Sequence, residues 1–136
     1  MKKLISILLS VLMVAGALSC KKDPKPQDEV QAKPVTVAEF KAAPESDTEV
    51  YELVGTIGGK SINTTYGNFD LTDITGTVYI YGLTATNLGY GAKNDRSYNA
   101  LGLHSGDIIR IRGYRGSFEG RIEMLNAWLV KKLSAK

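Results

Sequence analysis

Between Val50 and Val130 apolar and polar side chains alternate with period two, the pattern of strands that bury one face. Val50 to Ile57 reads as a first strand. Tyr51, Leu53 and Ile57 share one face, and Gly55 interrupts it where the chain is expected to bend. Gly58 to Thr65 reads as a loop. Gly67 to Thr72 is a second strand, with Phe69 and Leu71 inward and Asn68, Asp70 and Thr72 outward. Asp73-Ile74-Thr75-Gly76 is a tight turn into a third strand, Thr77 to Tyr81. There Val78 and Ile80 face the core, and Thr77, Tyr79 and Tyr81 face away. Asp107 to Tyr114 is a fourth strand, with Ile109 and Ile111 inside and Arg110 and Arg112 on a solvated face. Arg115 to Gly120 is a hairpin loop. Arg121 to Val130 is a fifth strand with Ile122, Met124, Trp128 and Val130 as core candidates.

Two stretches break this period. Thr36 and Glu39 form a capping-box pattern that starts a short helix, with Val37 and Phe40 on one face and Pro44 as the stop. Leu83 to Gly106 is the longest irregular piece, and loops of that length carry function or structure of their own. Within it Ser97 to Gly102 reads as one helical turn, with Ser97 as N-cap and Gly102 just past its end. Leu101 and Leu103 are expected to plug the core.

The N-terminus follows a different rule. Met1-Lys2-Lys3 precedes the apolar run Leu4 to Ala17, which is too short to span a bilayer comfortably but suits a secretion signal. Ala17-Leu18-Ser19-Cys20 resembles the lipobox of bacterial lipoproteins. It departs from that pattern in having Ala17 three residues before the cysteine. The resemblance implies lipid on Cys20 and cleavage before it. It implies anchoring in the bacterial outer membrane, on the periplasmic or the cell-surface side. Residues 1–19 are then the signal peptide. Residues 20–34 are a charged, proline-bearing tether that cannot bury enough surface to fold. Residues 35–133 are the folded domain.

Composition narrows the chemistry. The 136 residues suffice for one domain, and 14 glycines with seven tyrosines favour a turn-rich β protein. Lys2 and Lys3 leave with the signal. The net charge of +3 therefore shrinks to near neutrality, without the basic excess common in nucleic-acid binders. One cysteine and one histidine exclude an internal disulfide and argue against zinc, and nothing implies a cofactor. His104 beside Ser105 is not a triad, and Asp70 and Asp73 diverge along a strand. No enzymatic activity is expected.

Five strands with the longest connection between the third and fourth match the plan of the OB-fold. The run Val54-Gly55-Thr56-Ile57 followed by Tyr66 to Gly76 resembles OB domains of the tRNA-anticodon and RPA type. Leu103-His104-Ser105-Gly106-Asp107 resembles the opening of their fourth strand. More narrowly, the chain is similar to uncharacterised OB-fold lipoproteins of Bacteroidota. The fold expected is an all-β, five-stranded OB-fold Greek-key barrel with a short N-terminal helix and a helical turn between strands 3 and 4.

In OB domains the ligand crosses strands 2 and 3 between flanking loops. By that resemblance the ligand-binding candidates are Lys60, Tyr66, Asn68, Asp70, Tyr79, Tyr81, Arg115 and Phe118. Aromatic rings stack on bases or sugars, and cations hold phosphates. The partners implied are the membrane through Cys20, and single-stranded nucleic acid, an oligosaccharide or an envelope protein. The sequence leaves two arrangements open for Tyr79 and Tyr81: bare to solvent, or covered by the Leu83–Gly106 segment.

Overall fold

A computed structural model describes residues 30–134. The signal-like segment, Cys20 and most of the tether lie outside the described residues, as does the Lys60 side chain. The described chain is mostly β and forms one sheet. Its elements are β1 (Lys33–Pro34), α1 (Val37–Ala42), β2 (Val50–Asn63), β3 (Asn68–Asp73), β4 (Gly76–Thr84), a 3₁₀ turn (Ser97–Leu101), β5 (Ile108–Phe118) and β6 (Arg121–Ser134).

The strand order is β1-β2-β3-β4-β6-β5, and β2 also pairs with β5. β4 runs parallel to β6, with Tyr79 opposite Glu123 and Tyr81 opposite Leu125. β2 reaches both neighbours because it bends. Its first half, Val50 to Thr56, pairs with β5, and its second half, from Thr56, pairs with β3. The bend falls at Gly55. A Cβ there would sit 2.8 Å from both the Leu71 Cγ and the Thr72 carbonyl oxygen, so only glycine lets the strands approach.

The core lies inside this curve. Leu53, Ile57, Phe69, Leu71, Val78, Ile80, Ile109, Ile111 and Met124 are buried there. Each such side chain contributes about 1.5–3 kcal/mol by leaving water. α1 adds Val37 and Phe40, with the Phe40 ring edge-on to Tyr51 at 5.5 Å. The Thr36–Glu39 capping box forms. Asp73 fastens α1 to the β3–β4 turn. Its carboxylate accepts the Val37 N–H at 2.9 Å and the Thr75 and Gly76 N–H groups at 2.7 and 3.1 Å. Burial raises the Asp73 pKa, but the Thr75 hydroxyl and these N–H groups outweigh it and hold it below its ordinary value. The 3₁₀ turn contributes Tyr98, and Leu103 follows it into the core.

Several expectations are corrected. The described sheet has six strands, not five, because Lys33–Pro34 pairs with Tyr51 and Glu52. The end of the expected tether is therefore docked: Val30 and Ala32 pack against Val50, Tyr114 and Trp128. β2 continues to Asn63 where a loop was expected, its pairing with β3 carrying glycine and polar residues across a register shift. β5 continues to Phe118, leaving Glu119 and Gly120, both at positive φ, as the turn. Arg96 is the N-cap of the 3₁₀ turn in place of Ser97. Trp128 lies outside the main core because Asn126, at φ 49, bulges β6 and inverts the alternation beyond it. Arg110 and Arg112 are not merely solvated; they flank Glu52 at 3.6 and 2.9 Å.

Candidate binding cleft

The outward residues of β3 and β4 meet the segment between β4 and the 3₁₀ turn. A cleft of about 530 Å³ opens where they join, walled by Tyr66, Tyr81 and Tyr90 and rimmed by Lys93 and Arg96. Asn68, Asn94 and Asn126 add polar groups to its lining and Leu88 and Leu125 apolar ones, and the lining contains no carboxylate. Tyr81 is 57% exposed, so the long segment walls this ring without covering it.

Hydrogen bonds hold the wall. The Asn126 side chain accepts the Gly91 N–H at 2.8 Å and donates to the Ala92 carbonyl at 3.0 Å. The Asn94 amide donates to the Tyr66 carbonyl at 3.1 Å and accepts the Arg96 N–H at 2.6 Å. The Ser97 hydroxyl accepts the Ala85 N–H at 2.8 Å. Tyr90 packs edge-on against Tyr114 at 5.2 Å. A segment tied at this many points is a preformed surface, which lowers the ordering cost of binding. Arg96 takes a left-handed backbone at φ 61, and its guanidinium lies 5.4 Å from the centroid of the Tyr66 ring.

Beyond the cleft the same face is occupied by its own side chains. The Arg121 guanidinium lies 3.8 Å from the centroid of the Tyr79 ring. It also reaches Glu123 at 3.8 Å. Glu123 is 1% exposed, and its Oε2 has no hydrogen-bond partner. Desolvation pushes its carboxyl pKa up, and Arg121 only partly offsets this.

The sequence candidates thus separate. Tyr66, Asn68 and Tyr81 come together in the cleft. Tyr79 lies on the same face beneath Arg121, and Asp70 pairs with it across the strands. Phe118 is 60% exposed at the β5–β6 turn. Arg115 lies outside this cleft: it is buried and its guanidinium is spent on the carbonyls of Phe40, Lys41 and Gly116. Tyr90, Lys93, Arg96, Arg121 and Asn126 were missed. The one signal for the first three was the length of the irregular segment that carries them.

These features define a class: a small, single-sheet β protein with a tyrosine-walled cleft on its outer face. No family model matches the chain, and no curated protein matches it. Among solved structures it is similar to the hypothetical protein ygiW from E. coli. The TM-score is 0.50 at 16% identity, over 72% of this chain and 90% of that one. At that identity the likeness concerns the fold alone.

Proposed function

We propose that the protein is a lipid-anchored OB-type binding module of the bacterial envelope. It is held to the outer membrane through Cys20, has no catalytic activity, and captures a segment of envelope protein or glycan in the tyrosine cleft. The OB reading is supported by the pairing β2-β3-β4-β6-β5, which returns to β2, with the longest connection after the third strand of that ring. The anchor rests on the lipobox-like Ala17 to Cys20. The observation that carries the binding reading is the preformed cleft with Tyr66, Tyr81 and Tyr90 exposed in it.

A protein or glycan is favoured over a polyanion by the charges on the face. Asp70 and Glu123 stand among its residues, Arg121 is engaged by Glu123, and Arg115 is buried among carbonyls. Exposed tyrosines suit both preferred ligand classes. Single-stranded nucleic acid is the second reading. It is favoured by Lys93 and Arg96 beside three tyrosines in a lining free of carboxylate.

The test uses the mature lipoprotein in detergent. It is applied to a glycan array, to a peptide library and to a twelve-nucleotide single-stranded DNA at low and high salt. Binding to glycan or peptide that is lost in Tyr81→Ala supports the proposal. Binding to DNA alone, falling steeply with salt, replaces it with the second reading. For the anchor, cells fed a labelled fatty acid should mark the parent protein and not Cys20→Ala; equal labelling of the two, or of neither, would remove that part.

A further inference from the structure

The cleft is not closed at Tyr90. A second cavity of about 340 Å³ adjoins it, and Tyr90 and Leu125 line both. Its other walls are Glu45, Ser46, Asp47, Arg115, Gly116 and Ser117. This compartment lies off the β3–β4 face. It is built from the segment that follows α1 and from the end of β5. The ridge between the two compartments depends on Gly116. A Cβ there would clash with Leu125 Cδ1, so the absent side chain leaves room for Leu125 in the wall of both compartments.

The two compartments carry opposite charge. On one side Lys93 and Arg96 are exposed, and Lys93 makes no hydrogen bond or ion pair among the described residues. On the other side Glu45 and Asp47 are exposed, and Asp47 is likewise without a partner among the described residues. The one cation of the second compartment, Arg115, is already committed to three carbonyls. Between the charges lies the apolar pair Tyr90 and Leu125.

We infer that the two compartments form one groove for an extended, amphoteric peptide segment. Its carboxylate lies at Lys93 and Arg96, an apolar side chain lies between Tyr90 and Leu125, and its amine or guanidinium lies at Asp47 and Glu45. The inference rests on the binding reading above and narrows it to peptide. A polyanion would bring phosphates against Asp47 and Glu45, where like charges repel. A neutral saccharide would leave both charged ends unused. A peptide carries both signs and an apolar group on one chain, and an extended backbone lays them out in sequence along a groove.

The experiment measures affinity for a synthetic hexapeptide with glutamate at one end, lysine at the other and leucine between, together with its sequence-reversed, all-acidic and all-basic counterparts. One of the two amphoteric orders should bind best. Lys93→Glu and Asp47→Lys, both surface changes that leave the core untouched, should each weaken it by about tenfold or more. The specificity should also swap. Lys93→Glu should prefer the all-basic peptide, and Asp47→Lys the all-acidic one.

Equal binding of the amphoteric and singly charged peptides overturns the inference. So does an unchanged preference in the two variants. Binding of a glycan or of DNA that is sensitive to Tyr81→Ala, with no peptide bound, overturns the peptide assignment and leaves the cleft intact. Tyr81-independent behaviour of every ligand class overturns both readings.

Discussion

The Asn126 side chain accepts the Gly91 backbone N–H at 2.8 Å, and so ties a bulge in β6 to the segment that walls the cleft. The same amide donates to the Ala92 carbonyl at 3.0 Å. Asparagine suits both tasks at φ 49, since it tolerates the left-handed region better than most residues. Asn126→Gly keeps the backbone and removes both bonds. Stability should fall by about 1–2 kcal/mol. Hydrogen exchange at the Gly91 amide should quicken far more than at core amides such as Ile80. A uniform change across all amides would mean that the bulge, not the clamp, was affected.

Arg96 poses the converse trade. Its left-handed backbone costs a non-glycine residue about 1–2 kcal/mol. Its stacking on Tyr66 returns about 0.5–1 kcal/mol at an exposed site. Arg96→Gly should therefore leave the thermal midpoint unchanged or slightly raised while weakening any ligand that carries an anion to the cleft. Arg96→Ala keeps the strain and loses the stacking, so it should be less stable than Arg96→Gly. The comparison is made by thermal melts and ligand titration on the same preparations. Equal stability of the two variants would show that the strain is absent.

Two carboxylates give opposite pH signatures. The Glu123 pKa is raised above its ordinary 4.5, chiefly by desolvation. The folded state therefore holds this proton more tightly, and the stabilisation is complete below the unfolded value and lost as pH rises through the folded one. Glu123→Gln should gain stability relative to the parent over that rise and hold the gain at neutral pH. The Asp73 pKa is lowered from 3.8, where burial is outweighed by bonds from Thr75, Val37 and Gly76. Its contribution is present above 3.8 and lost as pH falls through the folded value. Asp73→Asn should cost stability at neutral pH and progressively less in acid. Urea unfolding from pH 3 to 8 reads both. Parallel profiles for parent and Glu123→Gln would remove the first assignment.

The parts of this fold that sequence discloses are those where one rule acts alone. Leu53, Phe69, Leu71, Val78, Ile80, Ile109 and Ile111 alternate strictly, and all are buried. The Thr36–Glu39 box is local and forms as written. Alternation fails beyond Asn126, because a single left-handed residue inverts the face and sends Trp128 to the outer cluster with Tyr114. It fails at Gly58 to Asn63 too, where poor strand formers are carried by pairing with β3. The cleft was half legible for the same reason. Tyr81 and Asn68 follow from period two, whereas Tyr90, Lys93 and Arg96 sit on a segment with no period. Contacts distant in sequence, from Asn126 and Tyr66, place that segment.

The bend in β2 makes the last prediction. Gly55 lies where the strand passes from β5 to β3, and its missing Cβ leaves room for Leu71 and for the Thr72 carbonyl, both 2.8 Å from where that carbon would be. The leucine could turn aside, but the carbonyl belongs to the β2–β3 pairing and cannot move without breaking it. Gly55→Ala should therefore cost about 1–3 kcal/mol, the range for overpacking a tight interior. The urea midpoint should fall with the slope of the transition unchanged, because the surface exposed on unfolding is the same. Gly58→Ala is the control. The nearest atom to its added Cβ is the Asp70 carbonyl oxygen at 3.9 Å, an ordinary contact, so this variant should unfold close to the parent. Equal midpoints for the two variants would show that the strands do not close on each other at Gly55.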